Sequence, residues 1–454
     1  MTAPNSTPPS RTTTPLGLSY RKLFAATTIS NLGDGMAVIA YPWLASAITR
    51  NPLLIALVLV AQRLPWLVFT LPAGVITDRV DRRRAMVTMD MLRFALTLFV
   101  AFAVLGKQGN LPGPDDVDRV VGTQFGLYLV VLVATLLLGM AEVLRDNCGQ
   151  TFMPSIVHSD NLERANGRMW SAEMVMNTFV GPPLGSLLLV VAFAVPFFVD
   201  AGSFFVSAAL IATIPGSFKA TRPEGVESTH WRTELAEGVR WLRAHPLLRP
   251  MAVILGLMNL ASTMGGATLV LFAQEVLGVG PFLFTVLGFG WAIGGAVGGL
   301  VAPWASRRLG SGTCLAIALG TPVVVSVAVG LSSSWVLVML FTGIGAFLTS
   351  GWNVITVSLR QSIIPPHLLG RVNSVYRFFA WGMMPIGAAL GGLIVAVIGA
   401  TNSRSTGLRV VWFADAAIHL GLFVFGRNKL TTAKIEAARA AGAMNVAPAT
   451  PVTN

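Results

Sequence analysis

The chain has 454 residues, of which 54% are hydrophobic and only 11% charged, with 32 Lys and Arg against 20 Asp and Glu for a formal charge of +12. A soluble domain carries about 25% charged residues, so this composition, with a mean hydropathy of +0.69, excludes a soluble protein and describes a polytopic helical membrane protein. The pI of 10.7 is no nucleic-acid footprint, because the arginines and lysines sit in short turns between apolar runs, where they set topology and meet anionic headgroups.

A membrane span needs about 20 mostly apolar residues. By that measure the sequence predicts twelve spans: Leu23–Ile48, Leu53–Thr77, Ala85–Leu105, Phe125–Leu144, Trp170–Phe193 and Val195–Pro215, then Met251–Leu271, Phe282–Pro303, Cys314–Leu331, Val336–Val357, Val372–Ile398 and Val410–Phe425. Residues 1–19 are rich in Ser, Thr and Pro and read as a disordered tail; the long apolar segment after them has no cleavage pattern, so they are not a signal peptide. Residues 20–215 and 251–426 are then two six-helix bundles. Residues 216–250 are a linker in which Trp231–Leu247 has the spacing of an amphipathic surface helix, and 427–454 form a second tail. The two cysteines, Cys148 and Cys314, are too far apart in sequence to suggest a disulfide framework or metal site.

The turn after the second span reads Leu-Pro-Ala-Gly-Val-Ile-Thr-Asp-Arg-Val-Asp-Arg-Arg-Arg over residues 71–84 and packs Arg79, Arg82, Arg83 and Arg84 into six positions. Basic residues beside span ends stay on the cytoplasmic face. The other turns on that side carry Lys219 to Arg249, Arg307, Arg308, Arg360, Arg371 and Arg427 to Lys434, whereas the opposite turns hold only Arg50, Lys107, Arg119, Arg404 and Arg409, so both termini are expected in the cytoplasm. Gly74, four residues before Asp78, is expected to admit another helix at close range.

The two halves repeat. Gln150-x-x-x-Pro154, Arg164-Ala165-Asn166 and Gly181-Pro182-Pro183-Leu184-Gly185 return as Gln361-x-x-x-Pro365, Arg371-Val372-Asn373 and Gly387-Ala388-Ala389-Leu390-Gly391. A six-plus-six repeat about an axis along the membrane normal implies a central cleft between halves.

At these residues the chain resembles the major facilitator superfamily. Gly74-x-x-x-Asp78-Arg79-x-x-Arg82-Arg83 is similar to its signature loop between spans 2 and 3, with Asp81 in place of the usual Gly. That variant, together with Asn31-Leu32-Gly33-Asp34 and Ala165-Asn166, resembles an exporter branch that includes macrolide efflux pumps and enterobactin exporters. The resemblance implies twelve transmembrane helices in two pseudo-symmetric six-helix bundles. It also implies a cytoplasmic gate of Gly74, Asp78, Arg79, Arg82 and Arg83, in which Asp78 meets the start of span 11 near Arg371–Ser374. The Gly181–Gly185 run is similar to an antiporter motif of span 5, but Ser186 and Met174–Val180 lack its further glycines.

Ionisable groups inside apolar spans are costly and point to function. Asp34, between Gly33 and Gly35 in span 1, is the first candidate for proton coupling, and Glu173 in span 5 the second. Arg63 in span 2 is the expected positive partner of Asp34. Asp90 and Arg93, three apart on one face of span 3, are expected to pair and to help Asp78 lock the cytoplasmic side; Glu142 and Arg145 are expected to pair at the inner end of span 4. Asp200 reads as a structural cap near the outer end of span 6. Asp415 and His419 share a face of span 12, where their involvement is not expected. Gly181, Pro182, Gly185, Gly387 and Gly391 are candidates for close helix packing or hinges, and Met258, Met264, Phe378, Trp381 and Met383 suit a bulky apolar substrate.

The expected function is proton-driven export of hydrophobic or amphipathic small molecules such as drugs by a monomer in the lipid bilayer of the cell membrane. Siderophore, metabolite or lysolipid export, uptake by symport, and a non-transporting receptor remain alternatives. No Gly-x-x-x-x-Gly-Lys loop is present, so direct ATP use is not expected, and the sequence suggests no enzyme activity, cofactor, metal or nucleic-acid partner.

Overall fold

The computed structural model describes residues 16–446 except 78, 115, 118, 119, 159, 160 and 220–230. Eleven of its helices are long and apolar enough to cross a membrane, and a shorter one, Pro52–Val68, completes the expected twelve spans. Spans 1 to 6 are α1 (Gly17–Ile48), α2 with α3 (Pro52–Val68, Thr70–Thr77), α4 (Arg82–Leu105), α5 (Phe125–Ile156), α6 with α7 (Leu162–Met174, Gly181–Val191) and α8 (Val195–Ala212). After the linker helix α9 (Trp231–Ala244), spans 7 to 12 are α10 (Leu248–Glu275), α11 (Pro281–Leu309), α12 (Ser311–Leu331), α13 (Trp335–Ile363), α14 (Pro366–Thr401) and α15 (Arg404–Arg427), followed by α16 (Thr432–Val446).

Several spans run past their apolar runs. α1 and α5 have 32 residues each, about 48 Å at 1.5 Å per residue, whereas a hydrocarbon core is about 30 Å thick. The extra turns lie at the end that carries residues 16 and 446 and the arginine turns (hereafter the basic end; the other is the distal end). A helix satisfies its own backbone and continues into polar surroundings, so an apolar count marks only its middle.

Two spans are interrupted, each beside proline. Pro65 has no N–H for the carbonyl of Ala61, and span 2 breaks at Phe69 one turn later. In span 5, Pro182 and Pro183 offer no N–H to the carbonyls of Thr178 and Phe179, and Val175–Val180 widens into a π-helix between α6 and α7. Caps fix other helix starts: Asn51 Oδ1 accepts from the N–H of Leu53, Asp81 Oδ1 from that of Arg84 at 3.0 Å, and Ser403 Oγ from that of Thr406.

The helices pack as two six-helix bundles related by a repeat. In the first half span 1 packs on spans 5 and 6, span 3 on spans 4 and 6, and span 2 on span 4; in the second half span 7 packs on spans 11 and 12, span 9 on spans 10 and 12, and span 8 on span 10. Across the halves, span 2 meets span 11 and span 5 meets span 8, again a matched pair.

The glycine repeats sit where this packing is tightest. A Cβ on Gly181 would lie 2.6 Å from Gly35 Cα, and one on Gly185 would lie 2.6 Å from the carbonyl oxygen of Met36, so spans 1 and 5 touch backbone to backbone. Gly387 and Gly391 hold span 11 equally close to the Leu260 and Met264 carbonyls of span 7. Pro182 opens this contact in span 5 and is itself buried.

The linker helix leans on the second half rather than lying free on a surface. Glu237 pairs with Arg371 at the start of span 11, and a Cβ on Gly238 would lie 2.9 Å from the Arg371 carbonyl oxygen.

Candidate functional site

A cavity of about 1220 Å³ lies between the halves, lined by Asp34, Arg63, Arg93, Glu142, Glu173 and Asp200 from the first and by Trp352, Arg360, Arg377, Trp381, Asp415 and His419 from the second.

At the distal end the halves are joined. Arg50, at the end of span 1, donates to Gln274 Oε1 at 2.6 Å and pairs with Glu275, and Arg404 Nε lies 3.1 Å from the other oxygen of Glu275. Gln274 Nε2 also donates to Ser46 Oγ at 2.9 Å, and Trp43 packs against Phe284 with ring centroids 5.3 Å apart. Below this seal, Phe179 stacks on Phe289, and the Thr285 hydroxyl donates to the Pro182 carbonyl at 3.4 Å. Glu275 holds two guanidinium groups from opposite halves in a half-buried site, so its charge favours the sealed state. Replacing Glu275 with Gln will shift the population toward distal opening by about tenfold or more, the range of a typical coupling energy. Distances between nitroxides at Val121 and Ser334, with Cys148 and Cys314 changed to Ser, check this; an unaltered distribution would show that the seal rests on the apolar contacts.

The charges of the first half form one network. Arg93 Nη2 donates to Asp34 Oδ1 at 2.5 Å and Nη1 to Ser30 Oγ at 3.3 Å, while its Nη1 lies 3.7 Å from Asp90. Its guanidinium also rests on the Phe204 ring, 3.9 Å from the centroid. Asp90 is fully buried, accepts from Ser207 Oγ at 2.7 Å and faces Arg145 Nε at 3.5 Å. Arg145 reaches Thr27 Oγ1 and Asp146 as well. Of the Asp34–Arg93–Asp90 set, Asp34 is the most open to the cavity, with its side chain 30% exposed against 3% for Arg93, which also touches the cavity wall. Two asparagines join spans 1 and 5 beside it: Asn177 Nδ2, in the π-helical turn, donates to Asn31 Oδ1 at 2.7 Å.

This geometry revises four sequence expectations. Asp34 pairs with Arg93 rather than Arg63, which lines the same cavity but forms no ion pair among the described residues. Asp90 and Arg93 do face each other, yet they bind spans 1, 4 and 6 instead of the basic-end turn, because their helix face points into the first bundle. Arg145 pairs with Asp90 of span 3 and with the adjacent Asp146 rather than with Glu142 three residues before it. Asp200 is no cap: it is 3% exposed, lines the cavity, and its Oδ1 accepts no hydrogen bond among the described residues. Its position was hidden by Gly33, where a Cβ would collide with Asp200 Oδ1 and Ser203 Oγ. Glu173, exposed on the last turn of α6, also faces the cavity.

The basic-end turn holds the first half together. Arg82 Nη1 donates to the Thr151 carbonyl at 3.1 Å and Arg83 Nη1 to that of Ile214, so the arginines cap the ends of spans 4 and 6. Asp81 accepts from the N–H of Phe218 at 2.9 Å; burial pushes its carboxyl up, but the Phe218 and Arg84 N–H groups and the charges of Arg83 and Arg84 outweigh that and hold it below its ordinary value. Arg79 is exposed. Asp78 lies outside the described residues, so its expected contact with span 11 does too. Gly74 has nothing within 4 Å of a Cβ among the described residues, contrary to the expected close approach.

In the second half Asp415 accepts from Ser326 Oγ, and His419 Nδ1 lies 3.4 Å from Asp415 Oδ1; both residues line the cavity, although span 12 was expected to be peripheral. Spans 2 and 11 meet toward the basic end through Trp66 and Trp381, whose ring centroids are 5.3 Å apart.

A family model described as transmembrane secretion effector matches residues 11–449. The multidrug efflux pump Tap of Mycolicibacterium fortuitum is 26% identical over 393 residues, 83% of this chain and 89% of that protein. The enterobactin exporter EntS of Shigella boydii is 24% identical over 411 residues, 87% of this chain and 90% of that one. Among solved structures, a bacterial homologue of the iron transporter ferroportin in an inward-facing state has a TM-score of 0.67 at 15% identity, covering 90% of this chain and 98% of that one; the outward-facing state of such a homologue scores 0.52 at 16% identity, covering 90% and 99%.

Proposed function

The chain belongs to the transmembrane secretion effectors of the major facilitator superfamily, and on that footing we propose that it exports hydrophobic or amphipathic small molecules in exchange for protons, with Asp34 as the coupling carboxylate. The observation that carries this reading is the Asp34–Arg93 pair. Its acid faces the cavity, and its guanidinium is buried with a second acid, Asp90, on its other side.

The proposed orientation puts the basic end in the cytoplasm, following the arginine distribution. The sealed distal end is then outside and the cavity faces in. A proton arriving from outside, when the distal end is open, adds to Asp34 and neutralises it. Arg93 keeps its charge and loses its partner, and Asp90, already 3.7 Å away, is the acceptor to which it can turn. That swing loosens the tie between spans 1 and 3 and permits the halves to rock until the outer seal of Arg50, Glu275 and Arg404 forms. With the cavity open inward Asp34 returns its proton to cytoplasmic water and the ion pair closes again, the arrangement seen here. Asp200 and Glu173 lie along the same wall and would pass or hold the proton. Two similar proteins named for efflux and export support outward transport.

Everted vesicles from cells expressing the protein test this. A panel of amphipathic dyes should accumulate on energisation for at least one member, and a protonophore should abolish that accumulation. Uptake that ignores the protonophore would sink proton coupling; a panel indifferent to the protein would count against export of such compounds.

A further inference from the structure

The cavity is chemically lopsided. Its first-half wall carries the acids Asp34, Glu142, Asp146, Glu173 and Asp200, which outnumber and in part pair with Arg63, Arg93 and Arg145 on the same wall. On its second-half wall toward the basic end the charges are Arg360, from the last turn of span 10, and Arg377, from span 11. Neither arginine makes an ion pair among the described residues, and both line this one cavity. Arg377 is exposed to the cavity and Arg360 half-buried, so both guanidinium groups are open to an anionic partner.

The neighbouring polar atoms say the same. Arg360 Nε, Tyr376 Oη and Trp352 Nε1 are buried and have no hydrogen-bond partner among the described residues, and all three residues line the cavity. Tyr376 and Trp352 are 1% and 2% exposed. Arginine and indole N–H groups can only donate, and buried polar groups are rarely left unpaired. The Arg360 guanidinium is held against the Tyr376 ring, 3.9 Å from its centroid, which fixes its plane while leaving its edge for a ligand. Trp381, exposed on the same helix as Arg377, offers an apolar face beside these donors.

We propose that Trp352, Arg360, Tyr376, Arg377 and Trp381 form an anion-binding subsite, and that the exported compounds are amphipathic organic acids whose carboxylate sits at the two arginines with its apolar body against Trp381. The assignment rests on the export reading above and narrows its substrate class. It also divides the labour: the first half handles the proton, and the second half holds the anion. An acid is drawn from the cytoplasm to arginines near the inner mouth and leaves outward, down the membrane potential, while the proton moves in.

The test is binding, measured without any gradient on the full chain in nanodiscs by equilibrium dialysis at neutral pH. The probes share one aromatic body: 2-naphthoate, 2-naphthamide and 2-naphthylmethylammonium. Naphthoate should bind about tenfold or more tighter than the amide, as a charge-assisted pair to guanidinium would. Arg360→Gln and Arg377→Gln should each reduce naphthoate binding to the level of the amide while leaving amide binding unchanged, which also shows the variants are folded. Arg377→Lys should retain part of the preference, and Asp34→Asn all of it. Equal binding of the three probes, tighter binding of the ammonium, or a preference that survives both glutamine variants would overturn the subsite. Proton coupling is read separately in the vesicle assay, so either idea can fail while the other stands.

Discussion

Replacing Asp34 with Asn will leave a protein that binds substrate and no longer concentrates it. Asparagine keeps the size of the side chain and an oxygen to accept from Arg93, which now sits 2.5 Å from the Asp34 carboxylate. It removes the charge that a proton would cancel, so the two faces of the membrane become equivalent to this residue. The magnitude follows from the driving force. A proton crossing a total gradient of about 150 mV releases about 3.5 kcal/mol, which sustains a concentration ratio of about 300 for one proton per substrate, before any contribution from the substrate's own charge. In proteoliposomes with an imposed pH gradient the variant should fall to a ratio of about 1, with equilibrium binding within a few-fold of the native chain. Counterflow, which needs no proton, should persist. A variant that still builds a gradient would move the coupling role to Asp200 or Glu173, which share the wall. Loss of binding as well as transport would instead make Asp34 a substrate ligand.

Most of the fold was legible because each span announces itself by length and each turn by its charge. The twelve spans, the linker helix and the glycine pairs all come from such one-dimensional signals. What could not be read is rotation about the helix axis. In a soluble bundle the polar face points to water and fixes rotation; here lipid and interior are equally apolar. The sequence therefore offered Arg63 as the partner of Asp34, whereas Arg93 pairs with it, although both arginines line the cavity. Nor does the sequence say what the glycines beside Asp34 admit: Gly33 makes room for Asp200 and Ser203, and Gly35 for Gly181. Local pairing rules also misled at Glu142 and Arg145, where Asp90, from another helix, is the closer acid. The orphaned donors of the second half had no signal at all, because a Trp or Tyr in an apolar run reads as core.

The strongest effect on stability is expected at Arg93. It is 3% exposed, and Asp90 beside it is fully buried. Arg93→Met conserves much of the volume and removes the charge, leaving Asp90 with Arg145 Nε at 3.5 Å and Ser207, and Asp34 with no ion-pair partner among the described residues. Breaking a buried pair by deleting one member costs about 3–5 kcal/mol, since the other charge stays behind in low dielectric. The variant should therefore lose much of its thermal stability in detergent, seen as a large drop in the unfolding midpoint. The partner change decides between a structural and a coupled role. If the loss comes from the stranded Asp34 carboxylate, adding Asp34→Asn should restore part of it, and the double-mutant cycle should give a coupling of about 0.5–3 kcal/mol. Additive losses would mean that Arg93 serves chiefly to neutralise Asp90. The Asp34–Arg93 contact could then break in each cycle at little cost to the bundle, and the proton would act on a hinge that Asp90, Arg145 and Ser207 keep rigid without it.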